Sequence, residues 1–339
     1  MSDLVLMPVA VALVDVDEPP GAAVAAVESW AVTLASPSTR RAYRHAVLTL
    51  VREHGEITPA TVASWRDRQV GAGLSLATIR QRMAAVRAFG AWATRTGRLP
   101  AQLVLDLAMV QVPRLSGQHA PAAIGAEQLR LMDQAADALW PEDPLRVAQA
   151  RVVLRVLGGC GLRVAELTVA ELLDVVCTRP TVADRTVLAG RTVQAWQLHV
   201  HGKRGRRRSV PVPASVRRAL QTYHQQLPHP AATLVPALSK HKPAQPLQDA
   251  IAVRTSQTVI ARLAAQVNAA AGEVLIAVDH AHPHALRHGY ALRYLAQKGA
   301  TLAGLQRRLG HTDIATTAKY LAAHQDGLEP APLDPWARA

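Results

Sequence analysis

TVQAWQLHVHGKRGRRRSVPVP, residues 192–213, is the stretch on which the fold turns. Two β-rich runs, Trp196–Val200 and Ser209–Val212, flank a polar, basic turn that contains glycine. Such runs about a short turn predict a β-hairpin. The segments on either side carry helical periodicity instead, with helices expected near 126–138, 144–158, 214–226, 246–272, 284–298, 301–309 and 313–324. The chain therefore reads as mainly α with a small antiparallel β-sheet, an α+β fold. The segment between Glu171 and Trp196 is longer than an approach to the hairpin needs, so 172–195 reads as an inserted loop.

Further upstream the punctuation is clearer. SPSTRRAYRHAVLTLVREHG (36–55) has Ser36 as N-cap, Pro37 in the first turn and Gly55 as stop. TPATVASWRDRQVGAG (58–73) repeats the pattern, and SLATIRQRMAAVRAFGAWATRTG (75–97) turns Ile79, Met83, Val86 and Phe89 to one side. LVLDLAMVQVPRLSGQHAPAA (103–123) contains Pro113, Gly117 and Pro121 and reads as a connection. The expected organisation is a flexible N-terminal tail (1–20), a helical domain (21–110), a linker (111–123), a second domain (124–325) and a C-terminal tail (326–339).

The 339 residues carry a formal net charge of +13. Residues 1–39 hold five acids and no Lys or Arg, so the excess of base lies wholly in the remaining 300 residues. A surplus of this size points to a polyanionic partner, nucleic acid above all. Arg40, Arg41, Arg44, Arg80, Arg82 and Arg87 ride on helices with few acids near them and are read as DNA-facing. Arg204, Arg206, Arg207 and Arg208 of the hairpin turn are read as phosphate contacts. The two cysteines, Cys160 and Cys177, stand apart without a CxxC pair, which argues against a disulfide scaffold or zinc ribbon and suits a reduced cytosol. The apolar run LVLMPVAVALV near the N-terminus is too short to span a bilayer and lacks a basic flank, so no membrane partner is expected.

Phosphodiester chemistry needs charge on the non-bridging oxygens, from carboxylate-held metals or from fixed cations. The second domain shows no carboxylate cluster at metal-ligand spacing, but places Arg and His at structurally special points. Arg163 follows a glycine-rich break in GGCGLRVAEL, with Glu166 one turn on. Arg and His in HPHALRHGYALRYL put His284, Arg287 and His288 on one helix face. HAHPH (280–284) is a competing metal reading, weakened by the lack of a partner beyond Asp279. Lys203 sits at the hairpin tip, from which an ammonium can reach a leaving oxygen. LGHTDIATTAKY (309–320) breaks at Gly310, presents His311, and carries Tyr320 two turns into the next helix. Tyr290 and Tyr294 are alternative phenols, read as core.

GLRVAEL, HALRH, LGH and a following Tyr, in this order and with a hairpin Lys after the first, closely resemble the tyrosine recombinase (phage integrase) family. The motifs cover about residues 124–324; the helical first domain resembles the family's core-binding domain more generically. The resemblance implies a site-specific DNA recombinase that cleaves and rejoins double-stranded DNA through a 3′-phosphotyrosyl bond and a Holliday junction. It implies a tetramer on DNA, open to a second recombinase, in the cytoplasm at the nucleoid, with no metal or nucleotide cofactor. Arg163 and Arg287 would clamp the phosphate, Lys203 would protonate the 5′ oxygen, and His284 would assist proton transfer. His311 would bind a phosphate oxygen or position the nucleophile, Tyr320 would attack, and Glu166 would support Arg163. Independently, a pocket of Arg, Lys and His is expected to favour ionisation of a phenol whose ordinary pKa is near ~10.

Overall fold

The computed structural model of the protein describes residues 21–112, 122–178, 195–202, 206–241, 245–311, 317, 320 and 332–337. The chain divides into two compact units, Met1–Gln118 and His119–Ala339.

The described residues of unit one form α1 (Ala22–Val32), α2 (Pro37–His54), α3 (Pro59–Gly71), α4 (Leu76–Arg95) and α5 (Ala101–Met109). Ser36, Thr58 and Ser75 each accept a hydrogen bond from the backbone N–H three residues on, and so start α2, α3 and α4. Ile79, Met83, Val86 and Phe89 are wholly buried, as their spacing predicts. Trp30 meets Phe89 edge-on at 5.3 Å, a pair worth about 0.5–1.5 kcal/mol beyond its buried area. Two elements differ from expectation. α1 is an alanine-rich helix without a side-chain cap, so it lacks the punctuation that reveals its neighbours. α5 occupies the start of the stretch read as a connection, because Leu103 and Leu107 bury against the core.

Unit two contains α6 (Ala126–Leu139), α7 (Pro144–Cys160), the single turn α8 (Val164–Leu167), β1 (Val175–Thr178), β2 (Ala195–His201), β3 (Arg207–Pro211), α9 (Ala214–Gln225), β4 (Pro236–Leu238), β5 (Pro246–Ala250), α10 (Val253–Ala271), α11 (Pro283–Leu295) and α12 (Leu302–Leu309). The hairpin is present: β2 and β3 pair antiparallel with Leu198 opposite Val210, both buried. β1 adds a third antiparallel strand with Val175 opposite Leu198, so the segment read as an inserted loop begins as sheet. Residues 246–250 form β5, paired with β4, where a helix was expected; the helix begins only at Val253. β5 starts at a proline and its register partner Leu238 draws it into a ladder that local periodicity cannot announce. α7 runs through the core with Val152, Val153, Leu154 and Leu157 all buried. The C-terminal stretch 332–337 lies on this unit: Arg130 donates to the Pro335 carbonyl at 2.7 Å, and the Trp336 ring approaches Gly158 and Gly159 at the end of α7.

Candidate active site

Gly161 caps α7 with φ 65°, a left-handed conformation that a side chain resists. A Cβ there would lie 2.4 Å from the Tyr290 ring, so both conformation and space demand glycine. This sharp exit delivers Arg163 to the start of α8. The helix is a single turn, and its first free N–H, that of Arg163, is already taken by Glu166 Oε2 at 2.8 Å. The Arg163 side chain itself is 41% exposed.

Glu166 is buried and heavily engaged. It accepts from Arg163 Nη1 at 2.9 Å, and from Arg208 Nη1 and Nη2 at 2.8 Å each. Burial alone would raise its pKa, but the Arg208 hydrogen bonds and surrounding positive charge hold it below the ordinary carboxylate range. Arg208, read from sequence as a phosphate contact of the turn, instead spends its side chain inward. Its Nε donates to the Arg308 carbonyl at 2.8 Å, tying β3 to α12. The reason is position: its neighbours Arg207 and Ser209 face outward from β3, so Arg208 faces Glu166.

Arg287 rises from α11 into the centre, fully buried. Its Nη1 donates to the Gly161 carbonyl at 2.7 Å and its Nη2 to the Leu309 carbonyl at 2.5 Å. Those carbonyls terminate α7 and α12, whose partial negative charges meet the guanidinium. Arg163 Nη1 also reaches Leu309 O, at 3.4 Å, so the two arginines share an acceptor. Burial, then the nearby Arg163 charge, lowers the Arg287 pKa to about 9, which leaves it charged at neutral pH. Its Nε is buried without a hydrogen-bond partner among the described residues.

Gly310, with φ 64°, closes α12 and exposes His311. Arg287 Nη2 donates to His311 Nε2 at 3.1 Å, which requires a neutral ring with its proton on Nδ1. That Nδ1 lies 2.9 Å from Thr317 Oγ1. Burial and the Arg287 charge push the His311 pKa down to about 4, in keeping with this tautomer.

Tyr320 is 3% exposed and packs beside Tyr290, Leu305 and Leu309. Its hydroxyl lies 2.6 Å from His288 Nδ1. Its ring is parallel to that of His311 at 6.4 Å. Burial raises its pKa, and the lowering pull of Arg287 and Arg163 is the smaller effect. The expectation that the cationic pocket would ionise the phenol is thus reversed in the free protein. His284 stacks edge-on against His288 at 4.2 Å, and burial followed by the Arg287 charge lowers its pKa. Tyr290 and Tyr294 are engaged by Arg308, the first by a hydrogen bond of 3.3 Å and the second through its ring face.

Arg163, Glu166, His284, Arg287, His311 and Tyr320 are thus gathered in one place. Lys203 and Arg204 lie outside the described residues. Arg206 and Arg207 are exposed beside the turn. In unit one the arginines divide. Arg40 donates to the Leu34 and Val32 carbonyls at the end of α1, and Arg87 to the Leu107 and Val110 carbonyls at the end of α5. Arg44 pairs with Glu28, and Arg82 donates to Gln69 at 2.8 Å. Arg41 and Arg80 are exposed and make no hydrogen bond among the described residues. His282, from the HAHPH stretch, caps α11 by accepting from the Ala285 N–H. Among the described residues no group of three or more His, Cys, Asp or Glu is placed to hold a metal ion. Sequence reasoning gives Arg208 a different role, that of a phosphate contact, and places His288 on the His284 face without a role; the structure joins the first to Glu166 and the second to Tyr320.

The phage integrase family model matches residues 125–326, and the model of the phage integrase N-terminal SAM-like domain matches residues 30–97. The chain is 29% identical over 315 residues to tyrosine recombinase XerC of Rhodospirillum centenum, covering 87% of this chain and 82% of that protein. It is 30% identical over 294 residues to XerC of Mycobacterium bovis, covering 84% and 88%. Among solved structures, the fold is similar to XerH site-specific recombinase bound to palindromic difH substrate, with TM-score 0.62 at 18% identity, over 86% of this chain and 78% of that one. A lambda integrase tetramer bound to a Holliday junction matches with TM-score 0.60 at 16% identity, over 93% and 77%. Among the described residues no helix is long and apolar enough to cross a membrane.

Proposed function

The chain belongs to the phage integrase family, the tyrosine recombinases, and we propose that it performs site-specific recombination with Tyr320 as the nucleophile on DNA. The observation that carries this reading is the meeting of Arg163, Arg287, His311 and Tyr320, drawn from three separated parts of the chain, around the Leu309 carbonyl and the His311 ring.

The scissile phosphate sits against the two arginines. Arg163 presents the exposed edge of a guanidinium that Glu166 holds in place. Arg287 keeps its Nε–H for a phosphate oxygen while its other nitrogens are fixed to backbone. Fixed donors of this kind stabilise charge that develops in the pentacoordinate transition state without reorganising. Tyr320 Oη attacks phosphorus, a 3′-phosphotyrosyl bond forms, and the 5′ oxygen leaves with a proton from Lys203. The phosphotyrosine retains the bond energy, so religation needs neither metal nor nucleotide. Unit one supplies further DNA contacts, and Arg41 and Arg80, exposed and without a hydrogen bond among the described residues, are candidates for them. Four copies act at the nucleoid on two duplexes through a Holliday junction, alone or with a second recombinase.

Nicked suicide duplexes test the assignment. Tyr320→Phe should still retard DNA in a gel but form no covalent adduct. An adduct with that variant removes Tyr320 as nucleophile. Strand exchange between two duplexes, rather than relaxation of supercoils alone, is the expected product.

A further inference from the structure

We infer that His288 is the base that takes the Tyr320 proton during strand cleavage. The inference rests on Tyr320 being the nucleophile, and it concerns where the phenol proton goes.

Among the described residues three imidazoles lie near the phenol, and His288 is the one hydrogen-bonded to it. His311 has both ring nitrogens occupied, by Arg287 and Thr317, so it has no lone pair for Tyr320. His284 is separated from the phenol by the His288 ring that it stacks on. His288 Nδ1 lies 2.6 Å from Tyr320 Oη, at the short end for a hydrogen bond between neutral groups. An imidazole lone pair is a better acceptor than a phenol oxygen, so the hydroxyl donates and His288 carries its proton on Nε2. Among the described residues this is the hydrogen bond that the phenol oxygen makes, and the ring packs among Tyr290, Leu305 and Leu309.

The surroundings keep this base free. His288 is faced by His284 and Arg287 on its own helix, by His282 at the helix start, and by His311 and Tyr320 from the following segments. Burial first, and then these neighbouring charges, depress its pKa to about 3. In the free protein it is unprotonated at any physiological pH and a weak base, so Tyr320 stays a neutral phenol. A bound DNA phosphate adds negative charge to the same pocket and raises the basicity of His288. Nucleophile activation is thereby coupled to the arrival of substrate. In the step itself, the O–H pair of Tyr320 forms the O–P bond, its proton moves to His288 Nδ1, the P–O5′ bond breaks, and the 5′ oxygen gains a proton from the general acid. Religation reverses each transfer and returns the proton to the phenol.

His288→Asn tests this, because its side-chain oxygen accepts the Tyr320 hydrogen bond near the Nδ1 position and cannot take the proton. The probe is a nicked duplex that the wild type has captured covalently from a randomised-core library. His288→Asn should retard this duplex as the wild type does and cleave it about 10²- to 10⁴-fold more slowly in a single turnover. Between pH 7 and 9 its rate should climb about tenfold per unit, since hydroxide replaces the base, while the wild-type rate stays nearly flat. A 5′-bridging phosphorothiolate version, whose leaving group needs no acid, should leave the defect in place. His288→Ala, with space at the site, should regain activity with added imidazole. Cleavage by His288→Asn within threefold of wild type overturns the inference, as does repair by the phosphorothiolate. If the wild type captures no duplex at all, the recombinase reading has failed instead.

Discussion

Arg208 grips Glu166 end-on, with Nη1 2.8 Å from Oε1 and Nη2 2.8 Å from Oε2. Both side chains are nearly excluded from solvent, and the same carboxylate steadies Arg163. Removing one member of a buried pair leaves the other charge uncompensated, at a cost of about 3–5 kcal/mol. Arg208→Ala should lower the melting temperature sharply and reduce cleavage through misplacement of Arg163. Adding Glu166→Gln should restore part of the lost stability, and a double-mutant cycle by calorimetry measures that coupling.

Gly161→Ala makes a second test. Its φ of 65° carries a strain of about 1–2 kcal/mol for a residue with a Cβ, before the clash with Tyr290 is counted. The Gly161 carbonyl is also the acceptor for Arg287. Denaturant unfolding should show a loss above that strain alone, and DNA cleavage should fall with it. Gly272→Ala, also left-handed at the end of α10 but with open space around its Cβ, should show the strain without the steric part.

The arginines of unit one should separate by assay. Arg40→Ala and Arg87→Ala remove charge-assisted hydrogen bonds to helix-end carbonyls, each worth about 1.5–3 kcal/mol, and should appear as lost stability. Arg41→Ala and Arg80→Ala should leave melting within about 0.5 kcal/mol of wild type. If they meet phosphates, each should lower the slope of log K against log salt by about 1. Fluorescence anisotropy at several salt concentrations reads this directly; an unchanged slope removes that arginine from the DNA contact.

Acid should destabilise the protein through its histidines. His288 and His311 hold folded pKa values of about 3 and about 4, against 6.5 in the unfolded chain. Below pH 6.5 the unfolded chain binds protons that the folded one refuses, so stability falls as pH drops from about 6.5 towards 4. The melting temperature should be highest above neutral pH. In a unit of this size each kcal/mol lost lowers it by about 2–4 °C. His311→Asn should flatten this dependence; a slope equal to that of wild type contradicts the buried neutral ring.

The parts of the site that sequence reveals are those written in short spacings. Arg163 and Glu166 are three apart, His284 and Arg287 three apart, and Gly310 precedes His311, so each pair is set by one turn of backbone. The Arg208–Glu166 pair spans 42 residues and His288–Tyr320 spans 32, and no helical or strand period relates such positions. Arg208 was hidden further by its neighbours, since one arginine in a run of three looks like the others until the strand alternates them. The hairpin was legible because β2 and β3 sit on either side of their own turn. β5 was not, because its partner β4 lies across a longer excursion and its own residues run on into α10.

Arg287 fastens the ends of two helices, in addition to the phosphate-binding role proposed for it. A genetic selection for recombination-dead alleles should therefore strike codon 287 for two unrelated reasons. Some substitutions there would empty the cell of folded protein, others would leave an inert enzyme at full abundance. Sorting such alleles by protein level, before any biochemistry, separates the strut from the reagent; at codon 320, Phe should fall only in the second class.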